Sequence, residues 1–319
     1  MHQFSRCSWR FRHLRPVLIG IAAIGIAALL LSSCSLLLKD PRVSQSDRNP
    51  NALLGLPSSA TSFNANDYLI HRSQYVMSYN RSKAIPNWAS WQLNQNWLGS
   101  RPRIPFEPDN TLPSGWQKIT PNDYTGSGFD RGHVVPAADR NKTVDDSSAV
   151  FLMTNIFPQA PDNNQGPWAQ LESYCRDLVA QGKELYIVAG VAGEGGEGEK
   201  GEKGAIAKGK VSVPASTWKV ILVSDRPGLG IAGMTERTRA IAVIMPNKQG
   251  IEAMNWREYR KSVDQVEELT GYDLFPNIPK SIQEAIEAKT DANLPVKLPV
   301  KLPVKPRANK PKTSIDGGN

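Results

Sequence analysis

The sequence predicts an α+β fold built on a central antiparallel sheet, and three observations carry that prediction. Glu184 to Val191, Val211 to Val223 with a break at Pro214, and Thr238 to Met245 are apolar, β-branched runs of strand length. Leu171, Tyr174, Cys175, Leu178 and Val179 recur at spacings of three and four, the pattern of a helix docked on a core. Ahead of that helix, His133 to Pro136 reads as the end of one strand and Val150 to Phe157 as another, so the order is strand, strand, helix.

Along the chain, residues 1–33 form a leader. Arg6, Arg10, Arg12 and Arg15 precede an apolar run over 16–31 that is short for a membrane span and has the make-up of a secretory signal. Leu31-Ser32-Ser33-Cys34 resembles the bacterial lipoprotein signal, which implies that Cys34 is acylated and becomes the mature N-terminus, giving an exported protein anchored at the cell envelope. A cleaved, secreted form or an uncleaved signal anchor is the alternative. Residues 34–64 are polar and read as a spacer, and 65–290 as one domain long enough for a large core.

Within that domain, Pro167 limits how far back the helix can run regularly, which puts Asn164 at or just before its start. Gly193 to Gly204, with alternating charges, reads as a solvated insertion. Ser262 with Gln265 makes a capping box and Gly271 a stop for a late helix. Residues 291–319 are a Pro- and Lys-rich tail in which Leu-Pro-Val-Lys occurs at 294–297, 298–301 and 302–305. Such a segment should be extended and disordered, unable to pack a core.

Composition excludes several chemistries. The net charge of +8 resides in the ends, because residues 34–290 carry 28 basic and 28 acidic groups. Attraction for a polyanion must then come from local arginines and a cation, not from a domain-wide field. Four histidines and three cysteines include no C-x-x-C or H-x-x-x-H pair, so zinc is poorly supported. Cys175 is alone in the domain and sits on the apolar helix face, as a buried thiol would. No glycine-rich segment has the strand-to-helix context of a phosphate loop.

The chemistry lies in Asp130-Arg131-Gly132-His133, followed by Asn164, Glu172 and Arg176. A neutral imidazole can take a proton from water near neutrality, which makes His133 the candidate base for cutting a phosphodiester. A hard cation such as Mg²⁺ would stabilise the charge on phosphate and the departing 3′ oxygen. Asn164 offers it one amide oxygen, and Glu172 can hold a water of its shell. Asn164, Trp168, Glu172 and Arg176 are spaced by four and would form one stripe on a helix. Each also has a plainer explanation. Asn163 can cap the helix, Glu172 and Arg176 can be a surface ion pair, and Trp168 is core mass in preference to a base-stacking platform.

The tetrapeptide, together with Phe151-Leu152-Met153-Thr154-Asn155, the P-Q-x-P-x-N-N run over 158–164, Trp168 and Leu171-Glu172, closely resembles the DNA/RNA non-specific endonucleases of the ββα-metal superfamily. The likeness runs from about Tyr75 to Tyr272. It implies a central antiparallel sheet with helices and a ββα-metal finger carrying the site. His133 is then the base, Asn164 the Mg²⁺ ligand with Mn²⁺ as a substitute, Glu172 the holder of a water and Arg176 a phosphate clamp, with Asp130 and Arg131 completing the motif. It also implies DNA and RNA as substrates, cut without sequence preference to leave 5′-phosphates, and leaves open an inhibitor or dimer partner. One position departs: where the family places an arginine four residues before Phe106, this chain has Pro102 flanked by Arg101 and Arg103, and Arg103 is the favoured substitute. The alternative from another class is a non-catalytic envelope protein that captures extracellular nucleic acid.

Overall fold

The structure, a computed structural model, describes residues 49–291. The leader, Cys34 and the Leu-Pro-Val-Lys repeats lie outside the described residues. In chain order, strands β1 (Tyr68–His71), β2 (Val76–Asn80), β3 (Ile85–Leu93) and β4 (Asp130–His133) are followed by helix α1 (Val144–Val150), β5 (Ile156–Gln159) and helix α2 (Ala169–Ala180). Then come β6 (Glu184–Ala192), four short strands β7 (Gly196–Gly198), β8 (Gly201–Lys203), β9 (Ala205–Ile206) and β10 (Val211–Ser212), the long β11 (Ser216–Ser224) and β12 (Arg239–Pro246), then β13 (Arg260–Lys261) and helices α3 (Val263–Thr270) and α4 (Lys280–Glu287).

Seven strands form one antiparallel sheet in the order β1-β2-β3-β6-β11-β12-β13. Alternation along the strands gives it two apolar faces, each covered. In β11, Ile221 and Val223 join Trp91, Phe151, Trp168, Leu171 and Cys175 in one core, while Trp218, Val220 and Leu222 join Trp88, Val263, Phe275 and Ile286 in the other. Helix α2 covers the first face and α3 with α4 the second. The late helix starts on the reciprocal Ser262–Gln265 capping box and stops at Gly271, whose φ of 73° favours glycine.

Four expectations need correction. Val150 to Phe157 is not one strand. Thr143 and Asp146 make a capping box that draws Val144–Val150 into α1, so only Ile156 onward pairs with β4. Asn155 fills the gap between them, its side chain bonding Val135 N, Val135 O and Val150 O. The expected spacer is folded from residue 49 on: Ala52, Leu54 and Ala60 are buried in the second core, and Asn51 is tied to Ser73 O and Gln92 N. Its polar composition hid the few residues that pack.

The glycine-rich insertion is largely exposed, as its charges imply, but it is more than a solvated insertion. β7 and β8 form a hairpin whose Glu199 N–H donates to Gly128 O (2.9 Å), and Lys203 Nζ donates to Ser127 O (2.8 Å), so it props the loop that leads into β4. Glycine at 198 is needed because a Cβ there would overlap the Gly128 carbonyl. The fourth correction concerns the start of the site helix. A turn begins at Pro161, widens into a π-type turn over Asn164–Trp168 with non-helical backbone at Gly166, and becomes regular only at Ala169. Gly166 lies against the Glu252 backbone, with no room for a Cβ.

Candidate active site

β4 and β5 form a separate two-stranded ribbon beside the large sheet, with Asp130 opposite Gln159 and His133 opposite Ile156. Gly132 permits this pairing, because any Cβ there would collide with the Gln159 side chain. His133 is only 9 % exposed, with Phe106 5.2 Å away on one side and Phe151 5.1 Å away edge-on. That cage is itself fixed. Glu107 N donates to Phe151 O (3.1 Å), Met153 N donates to Glu107 O (2.9 Å), and buried Asp109 accepts from Arg72, Thr111 and Thr154. Burial pushes Asp109 up, but the Thr111 hydrogen bonds and the Arg72 charge outweigh it and hold the carboxyl below its usual range.

Burial, and then the charge of Arg103, lower the His133 pKa from 6.5 to about 3. The ring is therefore neutral at pH 7, in the state that accepts a proton. Its Nε2 is buried without a hydrogen-bond partner among the described residues. Arg103 is exposed, with its guanidinium 5.2 Å from the Phe151 ring centre, whereas Arg101 turns away to donate to Lys142 O (3.3 Å). Of the two arginines flanking Pro102, Arg103 is the one beside the histidine. Arg131 is less free than a phosphate contact requires. It donates twice to Pro121 O (3.3 and 3.1 Å) and lies over Phe106 at 5.5 Å, so it braces the entry to β4.

Asn164 is half-buried in the wide turn, and its Nδ2 donates to Asp130 Oδ2 (2.8 Å), which also accepts from Gln165 Nε2 (2.9 Å). Committing the amide nitrogen to Asp130 leaves Asn164 Oδ1 without a donor among the described residues, and so able to meet a cation. Asn163 is not a cap. It is fully buried, accepts a hydrogen bond from Gln159 and donates to Pro246 O, tying the turn to the large sheet. Nor do the four spaced residues make one straight stripe. The wide turn rotates Trp168 into the core at 1 % exposure, while Glu172 and Arg176 stay half-buried.

Beneath α2 the structure assembles charges that were not singled out in the sequence. Arg176 Nη1 is 3.0 Å from Asp139 Oδ1, and the other oxygen of that buried carboxylate accepts from Trp91 Nε1 (3.1 Å). Glu172 Oε1 lies 3.8 Å from Nζ of Lys219, a fully buried lysine in β11. Burial raises the Glu172 carboxyl above its usual range, and Lys219 is the strongest opposing influence. Cys175 is buried as expected, its thiol pushed up to about 12 by burial, which leaves it no role as a nucleophile. Lys219 was detectable as a lysine inside an apolar strand, and Asp139 as an acid just after the motif.

The donor set fits a hard cation that keeps most of its water: one free amide oxygen on Asn164, with the Asp130 carboxylate beside it as a hydrogen-bond acceptor. It does not make an all-protein cage. Among the described residues the one close grouping of three acidic side chains, Asp264, Glu267 and Glu287, belongs to α3 and α4 on the opposite face of the sheet.

A family model described as DNA/RNA non-specific endonuclease matches residues 56–281. A protein named Nuclease from Nostoc sp. is 51 % identical over 234 residues, covering 72 % of this chain and 82 % of that one. Mitochondrial nuclease EXOG from Xenopus laevis is 30 % identical, covering 86 % and 76 %. A solved structure of EndoG with its inhibitor EndoGI has the same fold, with a TM-score of 0.60 at 21 % identity, covering 75 % of this chain and 95 % of that one. On these matches the chain belongs to the DNA/RNA non-specific endonuclease family.

Proposed function

We propose that this nuclease is a magnesium-dependent, sugar-non-specific endonuclease in which His133 activates water and the products carry 5′-phosphates. The observation that carries the reading is the pairing of a neutral, caged His133 beside Arg103 with an Asn164 oxygen left free by Asp130. Nucleases of this family generally work with a divalent metal. Held at Asn164 Oδ1, Mg²⁺, or Mn²⁺ in its place, would supply positive charge at the phosphate and the departing 3′ oxygen.

The chain's own groups divide the remaining work. His133 takes the proton from water as the water oxygen bonds to phosphorus; the bond from phosphorus to the 3′ oxygen breaks, and that oxygen leaves with the electron pair. Arg103 and the uncommitted N–H groups of Arg176 neutralise the phosphate oxygens. A phosphate bound to Arg103 also cancels one of the two causes that depress His133, making the ring a better base when substrate is present. Glu172, further along the helix, is the acceptor for water held in the site. Such a site reads phosphate and no base edges, so sequence indifference follows.

Supercoiled plasmid with Mg²⁺ should be nicked and then linearised, activity should stop with EDTA, and the ends should ligate without added kinase. Retention of DNA without nicking would favour the capture protein instead. On sequence grounds we propose an envelope location through acylated Cys34. Cells expressing the full chain should incorporate labelled palmitate into it, and Cys34→Ser should abolish the label; equal labelling of both would reject the anchor.

A further inference from the structure

Lys219 occupies the middle of β11, opposite Ala189 of β6 and Val243 of β12, and is 1 % exposed. Ile221 and Val223, its neighbours on the same strand face, lie in the apolar core under α2, so an ammonium group here is desolvated and needs a partner. Two kinds are present. Nζ is 4.1 Å from the Trp168 ring centre and 5.7 Å from that of Trp91, and 3.8 Å from Glu172 Oε1. Trp168, at the end of the wide turn, and Glu172, in the first turn of α2, therefore share one buried cation. A surface ion pair would be worth little, but a charge sealed under a helix is screened far less.

We propose that Lys219 is a positioning residue for hydrolysis, acting from beneath the site through Glu172 without touching substrate. The proposal rests on the reading above, in which an ionised Glu172 accepts hydrogen bonds from water. The groups facing Glu172 are Lys219 from β11, Asp139 from the segment after β4, and Trp168, Cys175 and Arg176 from its own helix region. Burial and Asp139 favour the neutral carboxyl, while Lys219 and Arg176 favour the carboxylate. Arg176 already has Asp139 as its ion-pair partner. Removing the Lys219 charge therefore tips Glu172 toward the neutral acid, in which one oxygen carries a proton and no longer accepts. It also takes the cation from under Trp168, so the helix loses its charged support at the same point.

The test is a titration of Glu172 in metal-free, full-length protein labelled with ¹³C at glutamate carboxyls, its resonance assigned with Glu172→Gln. In Lys219→Met the Glu172 midpoint should rise by about one pH unit or more, and Lys219→Arg should return it toward wild type. Single-turnover cleavage should follow, with the acidic limb of the Lys219→Met profile moved to higher pH by a similar amount and restored in Lys219→Arg. If Lys219→Met does not fold, Lys219→Gln replaces it. In wild-type protein the Lys219 ¹⁵Nζ resonance should shift as Glu172 titrates, which needs no substitution. An unmoved Glu172 midpoint in a folded neutral variant, or no coupling of the ¹⁵Nζ signal in wild type, overturns the proposal. Full activity of Glu172→Gln would instead overturn the role of Glu172, and is read separately from the titration.

Discussion

His133→Ala is expected to lower single-turnover hydrolysis by roughly 10² to 10⁴-fold, the usual worth of a positioned base, while nucleic-acid affinity and Mg²⁺ affinity stay close to wild type. The expectation follows from where the ring sits. It lies between Phe106 and Phe151 next to Arg103, while the Asn164–Asp130 pair that would meet the cation is built from other atoms. The pH dependence has a defined sign. The folded-state pKa is lowered from 6.5 to about 3, so an unfolding chain takes up a proton at this residue as pH falls. The stabilising contribution of the neutral ring is complete above about pH 6.5 and is lost progressively as pH falls toward 3. The alanine variant should lack that slope, so its urea midpoint should fall less than that of wild type between pH 7 and pH 4. In free enzyme the histidine limb of kcat/KM should also lie below the ordinary imidazole range. Fluorescence anisotropy on a phosphorothioate oligonucleotide, set beside cleavage, separates binding from chemistry. Loss of metal binding in this variant, or cleavage within a few-fold of wild type, would remove His133 from the role of base.

The parts of the candidate site that stood out in the sequence are those in which a chemically special residue stands in a fixed local pattern. Asp130 to His133, Asn164, Glu172 and Arg176 are of that kind, and so are the apolar periodicity of α2 and the strand runs of β6, β11 and β12. What escaped depends on contacts between distant segments. Phe106 and Asp109 match a segment of the family pattern, but that local pattern does not show that Asp109 holds Arg72 and Thr154, 37 residues upstream and 45 downstream, and thereby fixes the aromatic cage. Asn247 likewise accepts from Ala160 N and donates to Pro158 O and Pro214 O, fastening the end of β5 to the sheet. Val150 to Phe157 was misread for a different reason. Its residues favour a strand, but the Thr143–Asp146 cap starts a helix that reaches Val150 and takes the Phe151 N–H, and the Asn155 side chain takes Val150 O. The straight stripe failed because Gly166 and Pro167 widen the turn.

The second large effect is expected at Asn164, and Asp130 makes it specific. Asn164→Ala should raise the Mg²⁺ concentration needed for half-maximal cleavage, with part of the activity returning at high Mg²⁺, because the substitution removes an oxygen ligand and leaves His133 in place. Asp130→Ala should do the same more mildly, by about 10 to 100-fold in metal affinity, because it only orients the amide. Asn164→Asp is the informative variant. A carboxylate is the better ligand for a hard cation, yet here it would replace the Nδ2 that donates across 2.8 Å to Asp130 with an oxygen, setting two anions against each other. The repulsion should push the two carboxylates apart and displace the ligand oxygen, so metal affinity should fall instead of rising. Adding Asp130→Asn restores a donor opposite the new carboxylate, so the double variant Asp130→Asn/Asn164→Asp should bind Mg²⁺ better than either single substitution. Calorimetry of Mg²⁺ binding to the phosphorothioate complex measures all five variants, Asp130→Asn alone included. Tighter binding by Asn164→Asp alone, or purely additive losses in the double variant, would show that the Asp130–Asn164 hydrogen bond does not set the ligand oxygen.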